Sequence, residues 1–86
     1  MNSENTRAES LRTRVFTAYA LCSVAESHIR DGRLDNAVDT VRVIRRMVTE
    51  ATRLAGEPHA HSNIRETAEL LPDLERKIAK LEASIG

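Results

Sequence analysis

Aromatic residues are almost absent from this chain: Phe16 and Tyr19 are the only two, and there is no tryptophan. A core must therefore come from Leu, Ile, Val, Met and Ala, which bury less area apiece than rings do. Cysteine is limited to Cys22, which excludes an intramolecular disulfide and any multi-cysteine metal site and suits a reducing compartment. Net charge is lacking too, because thirteen basic residues balance thirteen acidic ones. No chain-wide field then draws the protein onto nucleic acid or an anionic membrane. Long hydrophobic runs are missing as well. The longest stretch without a charged side chain, Val15 to Ala25, is too short to span a bilayer, and it has neither a basic start before it nor a small-residue cleavage site after it. The expectation is a soluble, cytoplasmic protein without a membrane partner.

The chain of 86 residues makes one small domain, and folded chains of this size hide only about 60 to 65% of the surface their unfolded form exposes. Self-association would add apolar burial without adding chain, so a homo-oligomer, a dimer in the simplest case, is expected. No internal repeat, low-complexity tract or composition break divides the chain.

What the sequence does hold is helical spacing. Met1–Thr6 lacks periodicity and is expected to fray as a disordered N-terminus. Thereafter Ala8, Leu11, Val15, Ala18, Cys22, Ala25 and Ile29 step by three and four, the seam of an amphipathic helix over about residues 7–31. Phe16, Tyr19, Leu21 and Val24 are expected to widen that seam, leaving Glu9, Arg12, Glu26 and Arg30 on the outer face. Gly32 stops this helix, since glycine tolerates the left-handed conformation that closes a helix end, and Arg30 in the last turn favours the exposed carbonyls. A second helix over 34–55 shows Leu34, Ala37, Val41, Ile44, Val48, Ala51 and Ala55 at the same spacing, with Val38, Met47 and Leu54 broadening the stripe. Asp35 and Asp39 lie near its positive end. Gly56 is expected to end it in the manner of Gly32.

The third helix, over about 60–85, starts less sharply. Pro58 suits either a first turn or a loop, and Asn63 with Glu66 forms a pattern close to a capping box. Ile64, Ala68, Leu71, Leu74, Ile78, Leu81 and Ile85 supply its apolar side. Pro72 lacks a donor and crowds the carbonyl four residues back, so the helix is expected to kink or break near Leu70–Leu71, with Pro72 opening a final helix if the break is complete. The predicted fold is all-α: a three-helix antiparallel bundle built on a long helical hairpin, as a single domain over residues 1–86, with the third helix kinked or broken at Pro72.

At the hairpin turn, Gly32, Leu34 and Ala37 resemble the G-x-Y-x-x-A junction of tetratricopeptide repeats, with Leu34 in place of the aromatic. Ala25 stands where that family places a small residue and Val41 where it prefers a bulky one, while Leu21, Ile44 and Thr49 replace its tryptophan, small alanine and closing proline. The resemblance covers roughly one repeat of about 34 residues, around residues 18–51. It implies a helical scaffold for protein contacts, although one copy does not form the concave groove of a stacked array.

Several side chains invite a chemical reading. Cys22 lies within the seam, where cysteine behaves as a small buried hydrophobe rather than a reactive thiol. His28, with Gly32 four residues on, resembles the His-x-Leu-Lys-Gly phosphoacceptor pattern of phosphotransfer helical domains, with Arg30 and Asp31 at its two middle positions. That resemblance implies a phosphorylated His28; an acid beside the phosphate and a helix stop at Gly32 argue for a boundary histidine instead. His59 and His61 could share a metal only in a loop, because residues two apart on a helix point to nearly opposite sides, and a third fixed ligand is missing. No metal or cofactor is therefore expected. Arg42, Arg45, Arg46 and Arg53 share the predicted outer face of helix two, and Arg30 and Arg33 extend the band. Such a strip suits an acidic protein or nucleic acid, but without interleaved aromatics a solvated charged face, with Glu50, Glu66 and Glu69 as partners, is the simpler account.

No glycine-rich phosphate loop, no nucleophile with a base and orienter, and no carboxylate pair in an apolar pocket is visible, so enzyme activity is not expected. The functional expectation is a small helical protein–protein interaction module that homodimerises. Its candidate interface is either the broad stripe of helix one, with Phe16 and Tyr19, or the seam of Leu71, Leu74, Ile78, Leu81 and Ile85. The alternatives are an adaptor acting through the arginine strip and, last, a phosphotransfer domain using His28.

Overall fold

The structure is a computed structural model that describes the backbone of residues 3–56 and 62–86 and the side chains of residues 8–56 and 65–86. Its elements are α1 (Ser3–Arg30), α2 (Leu34–Ala55), α3 (Ser62–Ala68) and α4 (Leu71–Ile85), with no strand among the described residues. The third helix of the bundle is the pair α3 and α4, bent at Glu69–Leu70. α1 begins at Ser3, ahead of the expected residue 7. His59, His61 and Pro58 lie outside the described residues, and so does the side chain of Asn63.

The hairpin closes as its sequence predicts. Gly32 has φ 76°, and around it the Gly32 N–H donates to the Ile29 carbonyl at 3.1 Å while the Arg33 N–H donates to the His28 carbonyl at 2.8 Å. This pair of bonds is the Schellman arrangement, which satisfies carbonyls the helix end would otherwise leave bare. A Cβ added at Gly32 would meet no atom within 4 Å. The glycine is therefore required by its backbone angle and not by crowding. Gly56 behaves differently from the expectation. Its φ of −85° and ψ of −3° are right-handed, and its N–H donates to the Thr52 carbonyl at 3.0 Å, so the helical path continues through it and its lack of a side chain is not used for a reversal.

At the bend, the Leu70 N–H donates to the Thr67 carbonyl at 3.0 Å and Leu70 keeps helical angles. Pro72 falls in the first turn of α4, where a backbone donor has no intrahelical acceptor to lose. The helix thus turns just ahead of the proline, as its ring requires.

α2 packs antiparallel along α1, and α4 lies in the groove between them, parallel to α1 and antiparallel to α2. The core joins Leu11, Val15, Ala18, Cys22 and Ala25 of α1 to Val41, Ile44, Val48 and Ala51 of α2 and to Leu71, Leu74, Ile78 and Leu81 of α4. Ala18, Ala25 and Ala37 are fully enclosed, and these small side chains let the helix backbones approach closely. Both stripes of the hairpin are therefore covered by the third helix of the same chain.

Candidate functional site

That closure corrects half of the expected interface. Leu74 and Ile78 are 0% exposed, and Leu71 and Leu81 are buried beside them. Ile85 is half-buried against the same core. The seam of α4 is spent within the chain, because it supplies the third wall that two facing stripes need.

Large apolar side chains stay exposed singly at Leu34, Val43 and Leu70, and as a pair about two turns apart on helix α1. At about 100° per residue, Phe16, Ala20 and Val24 fall opposite the buried row of Leu11, Val15, Ala18, Cys22 and Ala25. Phe16 is 56% exposed and Val24 42%. These two do not widen the inner seam, as their neighbours suggested; they stand on the outward face. Thr13, Ala20, Ser23 and Ser27 are exposed around them and Thr17 is half-buried. Arg14 and Glu26 bound this face, with no charge between them. Arg14 turns back to Ser10, donating to its hydroxyl and to its carbonyl. The signal for this surface was the uncharged run of Val15–Ala25 itself. Three helical turns without a charge leave the outside of a helix with small uncharged residues around Phe16 and Val24.

Tyr19 and Leu21 do pack against the core. The Tyr19 hydroxyl donates to Asp73 Oδ2 at 2.8 Å and approaches the Leu70 carbonyl at 3.3 Å, tying the middle of α1 to the start of α4. Burial, then the bond to Asp73, pushes the Tyr19 phenol up to about 12. The same bond holds the Asp73 carboxyl below its usual range.

The arginine strip divides. Arg45 turns toward α4 and pairs with Glu82. Arg53 pairs with Glu50 one turn away, and Arg42 lies 3.9 Å from Asp39. Of the four, Arg46 alone has no ion pair among the described residues. Exposed pairs of this kind contribute little stability, but they do interrupt the continuous cationic band that a polyanion would follow.

The remaining candidates are structural. Cys22 is 3% exposed, and burial pushes its thiol up, with Lys77 of α4 opposing that shift. A raised thiol is a poor nucleophile. His28 is half-buried in the last turn of α1, where its carbonyl closes the turn. Among the described residues no group of three His, Cys, Asp or Glu side chains is placed to hold a metal ion. A groove of about 240 Å³ between α1 and α4, lined by Glu26, Ile29, Lys77, Lys80, Leu81 and Ser84, opens to solvent. No described helix is long and apolar enough to cross a membrane. In comparisons with known proteins, no family model, no curated protein and no solved structure matches the chain.

Proposed function

We propose that this protein is a small helical protein–protein interaction module that associates with itself and works by contact rather than by catalysis. The exposure of Phe16 carries the reading. A chain with two aromatic side chains leaves one of them 56% open to water, on a helix face whose other members are Val24 and small uncharged residues. Fully burying a phenylalanine contributes about 1.5 to 3 kcal/mol, of which an isolated chain that leaves Phe16 56% exposed forgoes roughly half. The buried Ala25 and Ala37 beside the left-handed Gly32 accord with the tetratricopeptide-like reading of the turn, which enters this proposal as a scaffold for protein contact. A single buried thiol suits a reducing compartment, and cytoplasmic residence belongs to the same proposal.

Sedimentation velocity or light scattering over a rising concentration series tests the reading. The expected result is a weight-average mass that climbs toward twice the 9.6 kDa chain. A mass that stays at one chain up to high micromolar concentration removes the proposal.

A further inference from the structure

We infer that the partner of the α1 face is the α1 face of a second copy, run antiparallel, with the two-fold axis passing beside Ala20. This rests on the self-association proposed above and names its geometry. The first support is a near-palindrome on the outward face. Residues equally distant from Ala20 match in kind: Thr13 with Ser27, Phe16 with Val24, Thr17 with Ser23. At about 100° per residue these seven positions span an arc of roughly 120° centred on Ala20. Every one of them is exposed or half-buried. A two-fold axis at the centre sets each residue level with its match on the partner. Phe16 then enters the space framed by Ala20, Ser23, Val24 and Ser27 of the second copy, and Val24 enters the one framed by Thr13, Phe16, Thr17 and Ala20. Large side chains meet small ones, the knobs-into-holes relation of paired helices.

The second support is charge. One flank of this face carries Arg12 toward one end and Glu26 and Arg30 toward the other, and Glu9 ends the face itself; all four are exposed and none is in an ion pair among the described residues. Antiparallel pairing about Ala20 brings Glu9 to within one residue of the level of Arg30 of the second copy and Arg12 to within two of the level of its Glu26, offsets of about 1.5 and 3 Å along the helix. Parallel pairing would put the two copies of this charged flank on opposite sides of the seam and offer neither of these opposite-charge pairs. Complementary rim charges fix orientation and register more than affinity. From Thr13 to Ser27 the contact runs for about 21 Å, at the small end of interface sizes, so this dimer forms and dissociates with concentration.

The test uses the full chain and reads register, anchor and orientation separately. In a Cys22→Ala background, Ala20→Cys is expected to oxidise rapidly to a disulfide dimer, while Arg46→Cys, at a position on α2 that is also exposed, does not. Phe16→Asp is expected to weaken association by roughly thirtyfold or more, the effect of losing an interface anchor, with the circular-dichroism melt near that of the wild type because the side chain is exposed. Arg12→Glu is expected to weaken it about threefold, and adding Glu26→Arg in the same chain to restore it. A protein that dimerises but shows no preference for cross-linking at position 20, or no loss with Phe16→Asp, overturns this geometry and leaves self-association through another face standing. Absence of rescue by the charge exchange overturns the antiparallel orientation. A strict monomer overturns both this inference and the proposal beneath it.

Discussion

Replacing Tyr19 with Phe removes one oxygen and keeps the ring that packs on the core. The lost hydroxyl donates to the Asp73 carboxylate at 2.8 Å, and its second approach, to the Leu70 carbonyl at 3.3 Å, is longer. One proton cannot serve both acceptors fully, so most of the effect belongs to Asp73. Moving a phenol from 10.0 to about 12 corresponds to about 2.7 kcal/mol of preference for the protonated form, an upper bound that solvent at this partly exposed site reduces. Hydrogen bonds to charged groups contribute about 1.5 to 3 kcal/mol when well shielded. The expected cost of Tyr19→Phe is therefore about 1 kcal/mol. In a chain of this size that is a drop of about 4 to 8 °C in Tm, read by circular dichroism.

The pH dependence separates this bond from general packing. Asp73 is held below its usual range, so its contribution is present above the unfolded value of about 3.9 and is lost as pH falls through the folded value. Tyr19 works at the other end. The unfolded chain releases its phenol proton near pH 10 and the folded chain near 12, so stability declines as pH rises through that window. Tyr19→Phe should remove the alkaline decline attributable to this group and flatten the acid limb. In the Asp73→Asn background, Tyr19→Phe should cost clearly less than it does in the wild type. Equal costs in both backgrounds, with both pH limbs unchanged, would refute the bond and leave the loss to packing alone.

Two further predictions concern the frame. Gly32→Ala forces an L side chain into a φ of 76° and should cost about 1 to 2 kcal/mol without changing the helical content of the folded protein; an unchanged urea midpoint would show that the turn relaxes freely. Leu74→Ala opens a cavity at a side chain with no exposure and should cost about 2 to 5 kcal/mol, and Leu74→Glu should unfold the chain at every concentration. A folded Leu74→Glu protein that merely loses its self-association would return α4 to the role of interface.

The helices were legible because their buried residues keep strict spacing. The buried residues from Ala8 to Ala25 and from Ala37 to Leu54 step by three and four, whereas Leu34, which opens the second row in the sequence, is 44% exposed. Pro72 announced the bend, and Gly32 announced the turn, because each imposes a backbone angle whatever surrounds it. The site was harder. A stripe reports that a face is apolar but not what covers it, so Leu71, Leu74, Ile78 and Leu81 read equally well as core or as interface. Phe16 and Val24 looked like extensions of the inner seam because α1 is uncharged on both sides for three turns. Tyr19 with Asp73 and Arg45 with Glu82 lie 54 and 37 positions apart, and only the register of α4 against the hairpin brings them together. Gly56 shows the converse: glycine permits a left-handed turn without requiring one.

The turn at Gly32 also bears on how the chain reaches its fold. Only Asp31, Gly32 and Arg33 separate α1 from α2, so joining the two longest helices closes almost no loop and gives up little chain entropy. Contacts that near in sequence place a helical bundle at the quick end of folding rates, in microseconds to milliseconds. The hairpin is a local event that any passage through the unfolded state can repeat cheaply, whereas the surface on which α4 sits is made by both of its helices together.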